Sequence, residues 1–179
     1  MLFKRKRILV FLIFIGVFSA AYSVGSSSNV SNEDAKSFLK EFEKAVEGID
    51  AIGIFAHNTS VALPMFIPGV GIGWGAFAAY STGIAFKALV STTPMLDKVP
   101  PLALLYLSPF GVMELAAYSI AMSRSFLLIN AIIKKRPLRP EIRPIAIEIG
   151  MVIAILLAAG FIEYAMLQEF GSSFSKLNS

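Results

Sequence analysis

The chain contains no cysteine and a single histidine, His57. The first absence excludes disulfides, a thiolate nucleophile and cysteine-held zinc or iron–sulfur centres. The second argues against a metal site built from several histidines. Charge is scarce as well. Asp, Glu, Lys and Arg make up 16 % of the 179 residues, against roughly 25 % in soluble proteins. Hydrophobic residues take their place at 56 %, above the roughly 45–50 % of soluble chains. Mean hydropathy is +0.71. A soluble protein of this composition would lack the polar surface to cover its core. The composition points to an integral membrane protein.

The formal charge of +4 and a pI near 9.4 raise the question of nucleic acid. The placement of the charge argues against it. Basic residues gather at K-R-K-R (Lys4 to Arg7) and at K-K-R-P-L-R (Lys134 to Arg139), with Arg143 just beyond. Each cluster flanks an apolar run, as cytoplasmic anchors do under the positive-inside rule. The expected partners are therefore the lipid bilayer and other membrane or extracytoplasmic proteins, with self-association open and nucleic acid excluded. No cofactor and no metal are expected.

The first apolar run, Ile8 to Val24, follows the K-R-K-R cluster. A basic start, an apolar core and S-A-A also fit a secretory signal peptide cleaved after Ala21. The length of the run suits a bilayer span, which favours a retained anchor over residues 1–24. Residues 25–50 then show apolar positions at Ala35, Phe38, Leu39, Phe42, Ala45, Val46 and Ile49. This is helical spacing, with Lys and Glu on the other face. It predicts one extracytoplasmic amphipathic helix, opened by Ser31 and Asp34 and closed by Gly48. Asn29-Val-Ser, on the same outer side, is a glycosylation sequon, a three-residue pattern that recurs by chance.

Residues 51–168 read as a four-span bundle. Ala51 to Val90 is two spans' worth of apolar sequence, broken at P-G-V-G-I-G, so one helix ends near Ile67 and the next starts near Ile72. The turn carries no charge. It fits a cytoplasmic loop or a re-entrant hairpin equally. Leu102 to Ile133 is longer than one span and shorter than two. Pro109 disfavours helix at Ser108, so a short piece over 102–108 should precede a crossing helix that starts near Pro109. The last span is Pro144 to Gln168, followed by a flexible tail, 169–179. The fold expected is an all-α membrane bundle of about five transmembrane helices with one outer amphipathic helix. Both basic clusters then fall on the cytoplasmic side, with the N-terminus inside and the C-terminus outside.

Polar residues inside spans are costly and default to functional candidates. Here they are His57, Asn58, Glu114, Arg124, Asn130, Glu148 and Glu163. Helix counting places His57, Asn58, Glu114 and Glu163 in one outer layer and Arg124 deeper. Residues of such a layer commonly bond across helices as packing glue. Glu148, near the cytoplasmic end of its helix, is expected to pair with Arg143 or the basic loop. The small residues of G-x-G-x-G-A-F-A-A (Gly71 to Ala79) suit close helix packing. The overlapping G-V-G-I-G-W is a poor nucleotide site, since no strand or downstream ribose acid surrounds it. The lone His57 has no triad partner in view, so no catalytic residues and no enzyme activity are expected.

Several stretches together resemble a known family. A-H-N-T-S-V-A-L, the glycine-rich break, P-F-G-V-M-E-L-A-A-Y-S-I-A and A-A-G-F-I-E are similar to the stage II sporulation protein M family of small multi-span membrane proteins. The resemblance runs from roughly Phe55 to Glu163. Pro109, Gly111 and Glu114 match the family's Pro-His-Gly-x-x-Glu element. Asn58 matches its second-span Asn and Glu163 its final-span Glu. Phe110 stands where the family has His, which weakens the case for a proton-handling or metal site at that element. The resemblance implies a scaffold, since the sporulation member recruits peptidoglycan-degrading partners during engulfment. The residues alone leave an alternative: a small solute or ion transporter or channel component using the carboxylates of Glu114 and Glu163. Interrupted helices are the usual pointer to transport sites.

Overall fold

The computed structural model describes residues 5–29, 31, 33, 35–37, 40, 44, 48–92 and 99–177. Regular structure among these residues is helical throughout. The α-helices are α1 (Arg5–Ser26), α2 (Ala51–Ala62), α3 (Val70–Thr92), α4 (Pro101–Leu107), α5 (Pro109–Ile133) and α6 (Ile142–Leu177), with 3-10 turns at Leu63–Phe66 and Arg139–Glu141. The amphipathic helix expected over 25–50 falls, apart from isolated positions, outside the described residues.

Helix α1 is apolar around its whole circumference, and one stripe of it is buried: Val10, Phe14, Phe18, Tyr22 and Ser26. These positions step by four and so share one helix face. Leu9, Leu12 and Ile13 point outward, which suits a lipid solvent. The buried stripe packs along α3. There Gly25 lies against the Tyr80 carbonyl and Gly83 against the Tyr22 carbonyl, where a Cβ would overlap backbone. This reciprocal pair of glycines lets the two backbones touch, the usual device of membrane helix packing. At the far end the Tyr22 hydroxyl donates to the Pro101 carbonyl at 3.1 Å, tying α1 to the start of α4.

Helix α2 starts at Asp50, whose carboxylate accepts from the Gly53 amide at 2.7 Å, a regular N-cap. It tightens into the 3-10 turn around Pro64 and reverses through Ile67 and Gly69, which has φ +80°. That left-handed conformation is cheap only for glycine. The break thus lies within the expected stretch, and α3 begins at Val70. The Trp74 indole donates to the Val61 carbonyl at 2.9 Å, beside the change from α to 3-10 winding. The tip of this hairpin is tied to α5. The Ser125 hydroxyl donates to the Ile67 carbonyl at 2.6 Å and accepts from the Gly69 amide at 3.0 Å. Helix α5 runs on from Ser125 to Ile133, about 12 Å at the helical rise. The tip therefore stops within the length of α5.

Among the described residues, three segments are long and apolar enough to cross a membrane: Arg5–Ser26, Pro109–Ile133 and Arg139–Glu169. This is fewer than the apolar runs lead one to expect. The difference lies in the hairpin. Helix α2 with its 3-10 turn is a shorter apolar helix, Ala51–Phe66. Helix α3 has 23 residues, but its glycines, hydroxyl residues and Lys87 dilute its hydropathy.

The break before α5 falls where Pro109 demands it. Ser108 is extended, with φ −81° and ψ 131°, and its hydroxyl accepts from the Gly111 amide at 3.1 Å. Pro109 then occupies the first turn, where its missing N–H costs nothing. Helix α5 contacts every other helix labelled here. Its buried residues include Leu115, Tyr118, Met122 and Leu128. Phe18 and Tyr118 stack at 5.6 Å, and Phe14 meets Phe126 at 5.8 Å. The core thus joins α1, α3, α5 and α6. Helix α6 continues through Leu177, past Gln168, where the last span was expected to end and a loose tail to follow.

Candidate functional site

Polar side chains inside the bundle collect in two places, not one. The outer centre joins α2 and α5. The Asn58 amide donates to the Glu114 carboxylate (Oε1) at 2.6 Å, and Asn58 is only 8 % exposed. An amide that donates to a carboxylate between membrane helices satisfies two groups that hydrocarbon would leave unpaired. Glu114 takes its position from the break at Ser108: the cap and Pro109 start α5, and Gly111 supplies the amide that the cap holds. Pro109 and Gly111 therefore build the start of the helix that carries Glu114.

Glu163 of α6 is the second acid of this layer, half-buried and near enough to Glu114 for the two carboxyl groups to influence each other. It reaches this level because α6 packs along α2, with Gly160 set against Ala51 and Phe55. Tyr118, one turn below Glu114 on the same face, feels both carboxylates. Two buried hydroxyls, Thr59 and Ser119, have no hydrogen-bond partner among the described residues.

His57 lies at the depth of this layer but faces away from the bundle. It is exposed, whereas its neighbour Asn58 is buried. Successive residues of a helix lie about 100° apart, so the face that carries Asn58 into the bundle carries His57 out of it. Asn130 is half-buried near the far end of α5, also away from the pair.

Arg124 belongs to a different centre. It lies about 15 Å along α5 from Glu114 at the helical rise. Its Nε and Nη2 donate to the two Glu148 oxygens at 2.6 and 2.7 Å, a bidentate pair. Its Nη1 donates to Glu141 at 2.7 Å. Arg7 completes the group. It donates to Glu148 at 2.8 Å, to the Ser123 hydroxyl at 2.6 Å and to the Ile120 carbonyl at 3.2 Å. The expected pairing of Glu148 with Arg143 or the basic loop is thus replaced by Arg124 and Arg7. The reason is geometric: Glu148 sits on the buried face of α6, while Arg143 is exposed. Two cations and two anions balance here, and the side chains of Arg124 and Glu148 are 4 % and 3 % exposed.

Arg7 and Glu141 were not among the candidates. Arg7 reads as one of four anchors in K-R-K-R. A signal was present, because Arg7 continues the stripe of Val10, Phe14 and Phe18 at helical spacing. Nothing comparable marks Glu141, whose position depends on the turn that opens α6.

The chain matches the family model described as stage II sporulation protein M over residues 8–165. It belongs to the stage II sporulation protein M family. No curated protein and no solved structure matches it. The family match is wider than the stretch from Phe55 to Glu163 that carries the resembling motifs. It takes in α1, in keeping with the buried stripe by which α1 packs on α3. Together with the three long apolar helices, family membership fits a membrane location. Asn58, Glu114 and Glu163, the family-like polar residues, fall in one layer. Phe110, at the position of the family's His, lines a recess together with Glu163.

Proposed function

We propose that the protein is a non-enzymatic scaffold or subunit of a membrane complex, resembling the stage II sporulation protein M family in this role. In this reading five segments cross the bilayer, counting the α2–α3 hairpin as two. The N-terminus is cytoplasmic, the C-terminus extracytoplasmic, and α1 is retained because its Phe14, Phe18 and Tyr22 are core residues. The observation that carries the reading is the inner ion group. Arg7, Arg124, Glu141 and Glu148 spend their charges on one another and bind α1, α5 and α6 together. Polar groups used in this way are helix-to-helix ties. Both basic clusters lie on the side this topology makes cytoplasmic, as the positive-inside rule requires.

One observation favours a second reading, a small solute or ion transporter or channel component. Glu114 and Glu163 share a layer on facing helices, and the buried Thr59 and Ser119 hydroxyls have no partner among the described residues. A pathway for ions or protons would use such groups. The two readings separate in reconstituted vesicles. The scaffold predicts no proton, cation or solute flux from the wild-type chain or from Glu114→Gln. It also predicts recovery of a defined membrane or extracytoplasmic protein in stoichiometric amount from mild detergent. Flux supported by the wild type and lost in Glu114→Gln, with assembly unchanged, would overturn it.

A further inference from the structure

We propose that the recess between α4, the start of α5 and the stretch of α6 around Glu163 and Leu167 binds an amphiphile with one primary ammonium group, and that Glu163 is its counter-ion. The recess is half-open and has a volume of about 400 Å³. Ala103 and Leu107 of α4, Phe110 of α5, and Met166 and Leu167 of α6 line it. Glu163 is the ionisable residue among its described lining residues, and Ser108, the other polar one, already holds the Gly111 amide.

The chemistry of the occupant follows from what Glu163 lacks. Among the described residues no donor and no cation meets its carboxylate, although Asn58 serves Glu114 and two arginines serve Glu148. A carboxylate in an apolar wall is costly until a charged donor meets it. A metal ion is a poor fit, because hard cations require several oxygen ligands and this recess offers one carboxylate. A partner helix is also a poor fit. A helix is about 10 Å across with its side chains, whereas the recess has the size of a small-ligand pocket. An ammonium head on an apolar body matches both the single charge and the apolar walls. That chemistry has two sources: the ethanolamine headgroup of a phospholipid, or a free long-chain amine. The inference stands apart from the scaffold reading, since it concerns a ligand of the purified chain and not a protein partner.

The test is native mass spectrometry of the full chain in non-ionic detergent. The probes are dodecylamine against dodecanol, and phosphatidylethanolamine against phosphatidylcholine and phosphatidylglycerol. Dodecylamine is expected to bind roughly tenfold or more tightly than dodecanol, as a charge-assisted hydrogen bond provides. That preference should vanish in Glu163→Gln. Selective retention of phosphatidylethanolamine assigns the site to a lipid headgroup, and retention of dodecylamine alone assigns it to a free amine. Equal binding of amine and alcohol, or an undiminished preference in Glu163→Gln, overturns the proposal. Ala103→Trp keeps the acid and fills the recess, so it decides the matter should Glu163→Gln fail to fold. Loss of the amine in Ala103→Trp supports the site, and retention refutes it.

Discussion

At the scale of single residues, the cost of each polar group depends on whether a neighbour answers it. Asn58→Leu would leave the Glu114 carboxylate without its amide donor. Orphaning a buried partner costs about 1–3 kcal/mol, and unfolding of the purified chain in detergent should show a loss of that order. His57→Ala, on an exposed position, should stay within about 0.5 kcal/mol of the wild type in the same assay. Equal losses in the two variants would contradict the placement of Asn58 inside and His57 outside. Arg124→Ala is the severest single change expected. It strips Glu148 of a bidentate partner at a side chain 3 % exposed, and breaking a buried pair costs about 3–5 kcal/mol. The triple variant Arg7→Leu, Arg124→Leu and Glu148→Leu should recover part of that loss, because it leaves without a partner only Glu141, whose side chain is 36 % exposed. Asn58 and Glu114 were both readable as candidates from the sequence, since polar residues in apolar runs stand out. Their pairing was readable only in part. Helix counting sets depth along the membrane, but not rotation about the helix axis. That is why His57 and Asn58, adjacent in the chain, could be assigned to one layer and yet face opposite ways.

At the scale of elements, two joints decide how the helices meet. The first is Ser108, extended between α4 and α5 and capping the latter. Its position follows from local rules alone, because Pro109 restricts the residue before it and serves in a first turn. Ser108→Ala should cost about 1 kcal/mol, the usual worth of an N-cap, read as a lower melting temperature with the fold retained. The second joint is the contact of α1 with α3 through Gly25 and Gly83. Gly25→Val would push a side chain into the Tyr80 backbone, and overpacking of this kind costs about 1–3 kcal/mol. The absence of native cysteine makes a direct check possible. Cysteines introduced on the facing sides of α1 and α3 should cross-link in the wild-type background and fail to do so with Gly25→Val. The glycines that make this contact are far apart in sequence. Neither one announces its partner, so this joint could not be read from local spacing.

At the scale of the whole molecule, charge asymmetry and polar pairing act together. A cysteine placed at Asn29 in otherwise cysteine-free chain should react with an impermeant maleimide on intact cells, and one placed at Arg136 only after permeabilisation. The reverse pattern would invert the proposed topology. The membrane class, the helical make-up and the break at Ser108 followed from composition, run length and proline chemistry, which act within a few residues and require no knowledge of neighbours. Membership of the two polar centres, the joining of Arg7 to Glu148, and the depth at which the α2–α3 hairpin stops did not. They depend on which helix faces which, and that is settled by close packing of all the helices at once. Rotation of a helix that is apolar on every side leaves its hydropathy unchanged, so only contact with its neighbours can select one face to bury.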